Sequence, residues 1–479
     1  MKTRLISALI CASMTIVSVL TACGGDSGAG KPAETAEAAE TEAVTERSVI
    51  EEITNGVNFG GRDFNIGYSV QYETNEIDFE EESGEIIDDA VYQRNRMTEE
   101  KLGITINGTY IGSWTDLLKT IQTMLSAGDC PYDTFACSMW FMFLSSLNGY
   151  LYDLNTINSL DLNHDWWDKE TMGFYSLGSK NLYFVSGAIN YTDDISILCL
   201  AFGKPQFENM GMELPYQLVR DGKWVFDRMF EMSAAFGADI DGDGKISDGD
   251  HFGYNDNSGV VNRVVNAAGE TFIVFDDEGH ASMNTSERLV NVIDKMREQF
   301  TNKTITSTLI NDRGKAPKSS FANGEILFQS AQVSSLFSWR KTIEFDFGVI
   351  PFPKYDELQE NYWSWFSTVA GSAFAIPVTS STQEDTGVIL DVMGYYSQQT
   401  IAPAVMERSL MGKSIRDDES EDMLNLIFRS KIFELGSWGC DAYGEILGFI
   451  DNAKVMSTLE KAAGKVEKQF APVLDYYHY

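Results

Sequence analysis

"RDFNIGYSV", Arg62 to Val70, places Phe64, Ile66 and Tyr68 at alternate positions, the period of a strand with one face toward a core. From Ile87 through Val91 and Met97 to Leu102 the apolar spacing becomes helical, and Gly103 supplies a stop. "ITI" (Ile104–Ile106) returns to strand. Leu117, Leu118, Ile121, Met124 and Leu125 mark a second amphipathic helix ended by Gly128, and "YDTFACS" (Tyr132–Ser138) reads as a third strand. This alternation predicts an α/β fold with a mostly parallel sheet flanked by helices. Ligands of such sheets sit beyond the carboxyl ends of the strands, which nominates Tyr68, Ser69 and the turn from Ser138 to Trp140.

The ends of the chain bound what surrounds this unit. Met1–Arg4 are basic, Leu5–Leu20 form an apolar run of sixteen residues, and "LTAC" closes it at Cys23. The run is shorter than the ~20 residues a spanning helix needs, so residues 1–22 are predicted to be a secretion signal. The next stretch, "GGDSGAGKPAETAEAAETEAVTERS", has no aromatic residue and cannot bury enough apolar surface to order itself. Residues 23–50 are therefore expected to be a tether, and the "GDSG" within it is a chance match to a protease nucleophile motif. The remaining chain, about 430 residues, exceeds what one core usually holds, so two lobes are expected. With 36 basic and 71 acidic residues the net charge is −35, which argues against nucleic-acid partners and favours neutral or cationic ligands. Cys130, Cys137, Cys199 and Cys440 are expected to be buried thiols, with Cys130–Cys137 the one pairing that the structure must decide.

"DIDGDGKISDGD" (Asp239–Asp250) has the spacing of a calcium loop. Asp239, Asp241 and Asp243 occupy positions 1, 3 and 5, Gly244 the tight turn, Lys245 the position that lends a carbonyl, Ser247 position 9 and Asp250 position 12. Aspartate rather than glutamate at the last position shortens the reach toward the ion. Only one such loop exists, so Ca2+ here is expected to brace a loop and not to drive a sensor that needs paired loops.

Several segments, in this order, resemble the sugar-binding, family 1 solute-binding proteins of ABC importers, the maltose-binding-protein-like group. "LTAC" followed by Gly24 and Gly25 resembles a bacterial lipobox, in which Cys23 would carry the lipid. "LLKTIQTMLSAGDCPYD" (Leu117–Asp133), "YLYDLNTI" (Tyr150–Ile157), "FANGEILFQSA" (Phe321–Ala331), "FDFGVIPFPKYDELQENYWSW" (Phe345–Trp365) and "GKSIRDDESEDMLNLI" (Gly412–Ile427) are similar to that group's successive segments. In "FANGEILFQSA", Leu327 and Phe328 replace the group's usual small residue and Met. The acidic loop resembles an insertion found in the same branch.

The resemblance implies a two-lobed, type II periplasmic-binding-protein-like fold whose hinge is made of crossing strands. By that analogy lobe 1 spans 51–190 and lobe 2 spans 191–345, with the calcium-type loop at 239–250. The chain would return to lobe 1 over 346–410, and 411–479 would form a C-terminal helical segment mainly on lobe 2. The first crossing would fall in Tyr183–Phe202, the return around Ile343–Pro353 and a third crossing near Leu410. It also implies an ABC permease as partner, a lipid anchor on the extracellular face of the cell membrane, and a monomer that binds without catalysis.

Sugars offer apolar C–H faces and rings of hydroxyls, so a site for them needs aromatic platforms with amide and carboxylate partners. Trp114, Trp140, Trp363, Trp365 and Trp438 lie in predicted loops and are the candidate platforms. Ser69, Asn190, Asp193, Asp194 and Gln329 are the polar candidates. "NHDWWD" (Asn163–Asp168) is read as an anchor for a helix. A surface-anchored polysaccharide-degrading enzyme is the alternative, since 71 carboxylates could include a catalytic pair. The four histidines show no metal-ligand spacing and Gly244-Lys245 lacks the rest of a phosphate loop.

Overall fold

The computed structural model describes residues 49–69, 75–113, 116–128, 130–245, 249–256, 260–300, 321–410, 418–449 and 454–479. The signal, Cys23, most of the tether, Trp114, Ser247 and the stretch 411–417 lie outside the described residues. Among the described residues no helix is long and apolar enough to cross a membrane.

The first sheet follows the sequence pattern. β1 (Arg62–Tyr68) pairs in parallel with β2 (Ile104–Tyr110) and with β3 (Thr134–Ser138). Phe64 and Ile66 are fully buried, as their alternation requires. Between β1 and β2 runs α1 (Ile86–Leu102), with Asp88 and Asp89 in its first turn and Lys101 in its last, signs that suit the helix dipole. Gly103 ends it at φ 63°, where its N–H reaches Glu99 O and a side chain would collide with Asn58. α2 (Leu117–Ala127) follows, and α3 (Met139–Ser146) continues directly from β3.

The second sheet has a different grain. β4 (Leu198–Gly203) is buried along its whole length and lies at the centre, next to β6 (Ile326–Gln332) and β7 (Phe347–Ile350). α4 (Phe226–Phe236), β5 (Phe252–Asn255) and α5 (Val260–Ala267) precede β6, and α6 (Val333–Thr342) leaves it without a break. β5 runs parallel to β6, but β4 is antiparallel to both of its neighbours. The expectation of a mostly parallel sheet thus holds for the first lobe, while the second sheet is mixed. A continuous apolar run such as "LCLAF" signals burial on both faces and carries no information on strand direction.

The lobes meet where three passages of chain lie side by side. Ile197 bridges Phe366, Ser367 N–H donates to Ser196 O (3.3 Å), and β8 (Ser364–Trp365) pairs in parallel with β10 (Lys431–Ile432). The return to lobe 1 therefore comes at Ser364–Gly371 and not at Ile343–Pro353, whose central residues are β7 of the second sheet. From there β9 (Ser372–Ala375) closes the first sheet as its antiparallel edge on β3. α7 (Gln383–Leu410) packs along α1 and the helix Asp418–Phe428 packs on β7; the third crossing expected near Leu410 borders 411–417, outside the described residues. The long C-terminal helix α8 (Val455–Phe470) and the segment after it, with its short helix Val473–Tyr476, touch both bodies. Phe470 contacts Phe275 and Phe143, and Tyr477 meets Tyr183 and the hydroxyl of Ser146.

Candidate functional site

Two adjoining cavities lie against the hinge. The larger, about 470 Å3, is lined on one side by Glu85 and Asp88 at the start of α1 and Arg408 at the end of α7. Gln332, Ser334, Ser335 and Phe337 line it from the other lobe, with Tyr191 and Ile195 of the first crossing as its floor. The smaller, about 270 Å3, lies at the carboxyl end of β5 and is formed by Asn255, Asp256, Arg263, Gln329, Ser330, Trp365 and Ser367 among others. Gln332 and Ser335 border both cavities, because β6 passes straight into α6 at this point and fans its side chains around the turn. The larger volume is that of a pocket for a small ligand, and the smaller cavity adjoins it.

The smaller cavity is wired internally. Arg263 forms an ion pair with Asp256, which also accepts a hydrogen bond from the Tyr254 hydroxyl. The guanidinium lies 5.5 Å from the centre of the Trp365 ring and reaches Ser330 Oγ at 3.4 Å. Asn255 Nδ2 donates to Gln329 Oε1 (2.7 Å), and Gln329 Nε2 donates to Ser330 O (3.0 Å), which orients both amides. In the larger cavity Arg408 pairs with Glu85 (3.2 Å) and sits over the Phe337 ring at 5.7 Å. Burial, reinforced by the neighbouring Glu85 charge, raises the Asp88 carboxyl above its ordinary range.

Of the residues nominated from sequence, Gln329 and Trp365 line the smaller cavity. Tyr68 and Ser69 do end β1, but Ile77 and Asp78 fold back over that strand end against Gly108, and Tyr68 packs on Tyr110. Trp140 is 1% exposed, so it offers no platform. The backbone N–H groups of Met139 and Trp140 donate to Gly371 O and Thr368 O of the returning chain, which covers them, and the ring packs on Phe143 and on Gly439. At Gly439, with φ 94°, a Cβ would stand 2.3 Å from the Trp140 indole nitrogen. Trp363 is half-buried beside Gly269, and Trp438 is exposed; neither borders the cavities.

Asn190, Asp193 and Asp194 belong to the hinge instead. Asn190 donates to Ser372 Oγ (2.7 Å), and Asp193 accepts from Ser186 (2.8 Å). Lys431, arriving on β10, stands 3.2 Å from Asp168, 3.4 Å from Asp193 and 3.0 Å from Asp194. Burial disfavours its charge, but the three carboxylates hold its pKa well above the ordinary lysine value. Glu76, also buried, accepts from the N–H groups of Tyr191 (2.6 Å) and Thr192 (2.7 Å) and from the Ser372 hydroxyl. These carboxylates hold the crossing segments through Lys431, Ser186, Ser372 and backbone N–H groups, and none of them lines the two cavities described above.

The residues that sequence reading missed are instructive. Asn255 and Asp256 close the "HFGYND" stretch at the end of β5, so the strand-end rule that nominated Ser69 would have found them. Nothing local marks Arg263, Gln332, Ser335, Glu85 or Arg408.

The acidic loop joins α4 to β5, its base held by the Ala238–His251 bridge. Carboxylate oxygens of Asp239, Asp241 and Asp243 all lie within 4.8 Å of one another. Asp239 accepts from Gly242 N (2.7 Å) and Gly244 N (2.8 Å), Asp243 from Lys245 N (2.8 Å), and the buried Asp250 from Ile240 N (2.8 Å). None of the four described cysteines is in a disulfide, so Cys130 and Cys137 are not bridged; Cys137, Cys199 and Cys440 are buried and Cys130 is half-buried. In "NHDWWD", Asp391 of α7 accepts from both indoles, Trp166 (2.9 Å) and Trp167 (3.1 Å), and Asp168 caps the helix Lys169–Tyr175, which is an anchor.

No family model and no curated protein matches the chain. Among solved structures it is similar to an ABC substrate-binding protein from Listeria monocytogenes in complex with cycloalternan, at 13% identity and TM-score 0.55, covering 87% of this chain and 100% of that one. It is similar to the maltose/maltodextrin-binding domain from Bdellovibrio bacteriovorus bound to maltotriose, at 14% identity and TM-score 0.53, covering 85% and 100%. A cyclic alpha-maltosyl-1,6-maltose binding protein from Arthrobacter globiformis matches at 13% identity and TM-score 0.57, covering 86% and 99%. At these identities the likeness establishes the fold: two lobes, each an α/β body, over most of the chain.

Proposed function

We propose that this protein is the solute-binding component of an ABC importer and captures an uncharged sugar or oligosaccharide between its lobes. The observation that carries this reading is the composition of the cavity wall. Asp256 is matched by Arg263 and Glu85 by Arg408, so among the described lining residues Asp88 is the one carboxylate outside these pairs, and the rest of the wall offers mainly amides, hydroxyls and one indole to a ligand. A polyhydroxylated neutral solute fits that wall better than an ion would. Neighbours of the same fold bind cycloalternan and maltotriose, which supports the same ligand class here.

The delivery role follows from the same reading. Cys23 would carry a lipid that holds the protein at the outer face of the membrane, and the closed lobes would be the form that a permease recognises. Metabolic labelling with a palmitate analogue, lost in Cys23→Ala, checks the anchor. The acidic loop supports a structural Ca2+ bound through Asp239, Asp241, Asp243, the Lys245 carbonyl and Asp250. A melting point that rises with Ca2+ and falls with chelator, and that no longer responds in Asp241→Ala, is the expected result.

The decisive experiment is titration calorimetry against neutral oligosaccharides, with reducing ends assayed in the same samples. Micromolar binding without new reducing ends is expected. Turnover would instead favour a polysaccharide-degrading enzyme, and a ligand set confined to peptides would overturn the sugar assignment.

A further inference from the structure

Each compartment of the cleft contains the same stack: a carboxylate, an arginine and an aromatic ring. Asp256, Arg263 and Trp365 form one, and Glu85, Arg408 and Phe337 the other. They differ in what they join. Arg263 and Asp256 both belong to the segment from β5 to α5. Arg408 sits in the last turn of α7, pairs with Glu85 at the start of α1, and lays its guanidinium over Phe337 of α6 in the other lobe. It is the one cation among the described residues lining the larger compartment.

We infer that Arg408 is an interlobe clasp, a positioning residue that sets how the two lobes stand when no solute is bound. The inference rests on the two-lobed binding reading above but not on the identity of the solute. Three features support it. Arg408 lies in the last turn of α7, which packs on α1 beside Glu85, so a small rotation of the lobes moves its guanidinium relative to Phe337 of α6 while Glu85 moves with it. The Arg408 side chain is 21% exposed and Glu85 56%, so the ion pair is weak enough to be exchanged for solute contacts. A guanidinium over a ring is held by charge and by planar stacking together, which lysine reproduces only in part.

The test needs no ligand. Bio-orthogonal spin labels are placed on the full chain at Met97 of α1 and at Glu208 of the helix Lys204–Met210, both exposed, and the interlobe distance distribution is recorded without solute. Arg408→Ala should shift the ratio between the two lobe arrangements by roughly three- to tenfold, the scale of a half-exposed ion pair plus a cation–π contact. Arg408→Lys should give an intermediate shift, Phe337→Leu a shift in the same direction, and 1 M salt should move the native chain part of the way to Arg408→Ala. Native-like circular dichroism and melting for the variants keep the comparison valid; should Arg408→Ala unfold, Phe337→Leu and the salt series decide. Distance distributions unchanged in Phe337→Leu and in salt would overturn the clasp. Failure of all sugars to bind, with the distances still responding, would sink the ligand reading and leave the clasp standing.

Discussion

The two stacks of the cleft use the same chemical parts at different depths. In the smaller compartment the Asp256 side chain is fully buried and Arg263 is 10% exposed, whereas Glu85 and Arg408 of the larger are 56% and 21% exposed. A buried ion pair that loses one partner leaves an uncompensated charge in a poor dielectric, but an exposed one leaves a charge that water takes up. The first stack is therefore scaffolding for Trp365 and the amides around it, and the second is an adjustable contact between lobes. Similar chemistry acquires different roles through solvent alone.

The sharpest break in this comparison is Asp256→Asn. It strands Arg263 and weakens the acceptor of Tyr254, and should cost about 3–5 kcal/mol of folding stability, measured by urea denaturation. A loss below about 1 kcal/mol would show that the smaller stack is no more buried in effect than the larger.

Next in size is the support beneath α5, which holds Arg263. Glu434 is fully buried and accepts hydrogen bonds from Phe272 N and Gly436 N, and burial pushes its carboxyl up to about 7. A raised folded pKa means that the native state binds this proton more tightly than the unfolded chain. The stabilisation from that proton is complete below the ordinary carboxylate range and is lost as pH rises through about 7. The difference is on the order of 3 kcal/mol across that window. Glu434→Gln should flatten the loss between pH 5 and 8, read as the urea midpoint at each pH; an unchanged slope would remove Glu434 as its source.

Within the site the comparison predicts unequal platforms. Trp365 is held by a fixed neighbour and offers the larger surface, so Trp365→Ala should weaken the tightest-binding oligosaccharide found by calorimetry ~30-fold or more, the range of a binding hot spot. Phe337→Ala, whose ring Arg408 already covers, should weaken it by only a few-fold.

These contrasts also explain what was legible in the sequence. Lobe 1 could be read because Phe64, Ile66 and the helix stops at Gly103 and Gly128 are local signals. The mixed second sheet could not, since "LCLAF" reports burial without direction. Gln329 and Trp365 were reachable from strand ends and loop aromatics. Trp140 was misplaced because its environment is made by Thr368, Gly371 and Gly439, all remote in sequence. Asp193 and Asp194 looked like ligand carboxylates for the same reason: the lysine that engages them, Lys431, arrives from the far end of the chain. Long-range pairing decides which polar groups are free to bind, and no periodicity records it.

The smallest expected effect is also the most discriminating. Glu85→Gln should change stability by less than about 1 kcal/mol, because both partners keep access to water. Its information lies in coupling. A double-mutant cycle of Glu85→Gln with Arg408→Lys should give an interaction energy within a few tenths of a kcal/mol, shrinking further in 1 M salt, while the cycle of Asp256→Asn with Arg263→Lys should give roughly 1–3 kcal/mol and change little with salt. Screening reaches a charge only where ions and water do, so the salt response separates the two stacks even if their absolute energies prove similar. Equal couplings with equal salt dependence would mean that the compartments share one environment, and the distinction between a fixed stack and a movable one would have no physical basis.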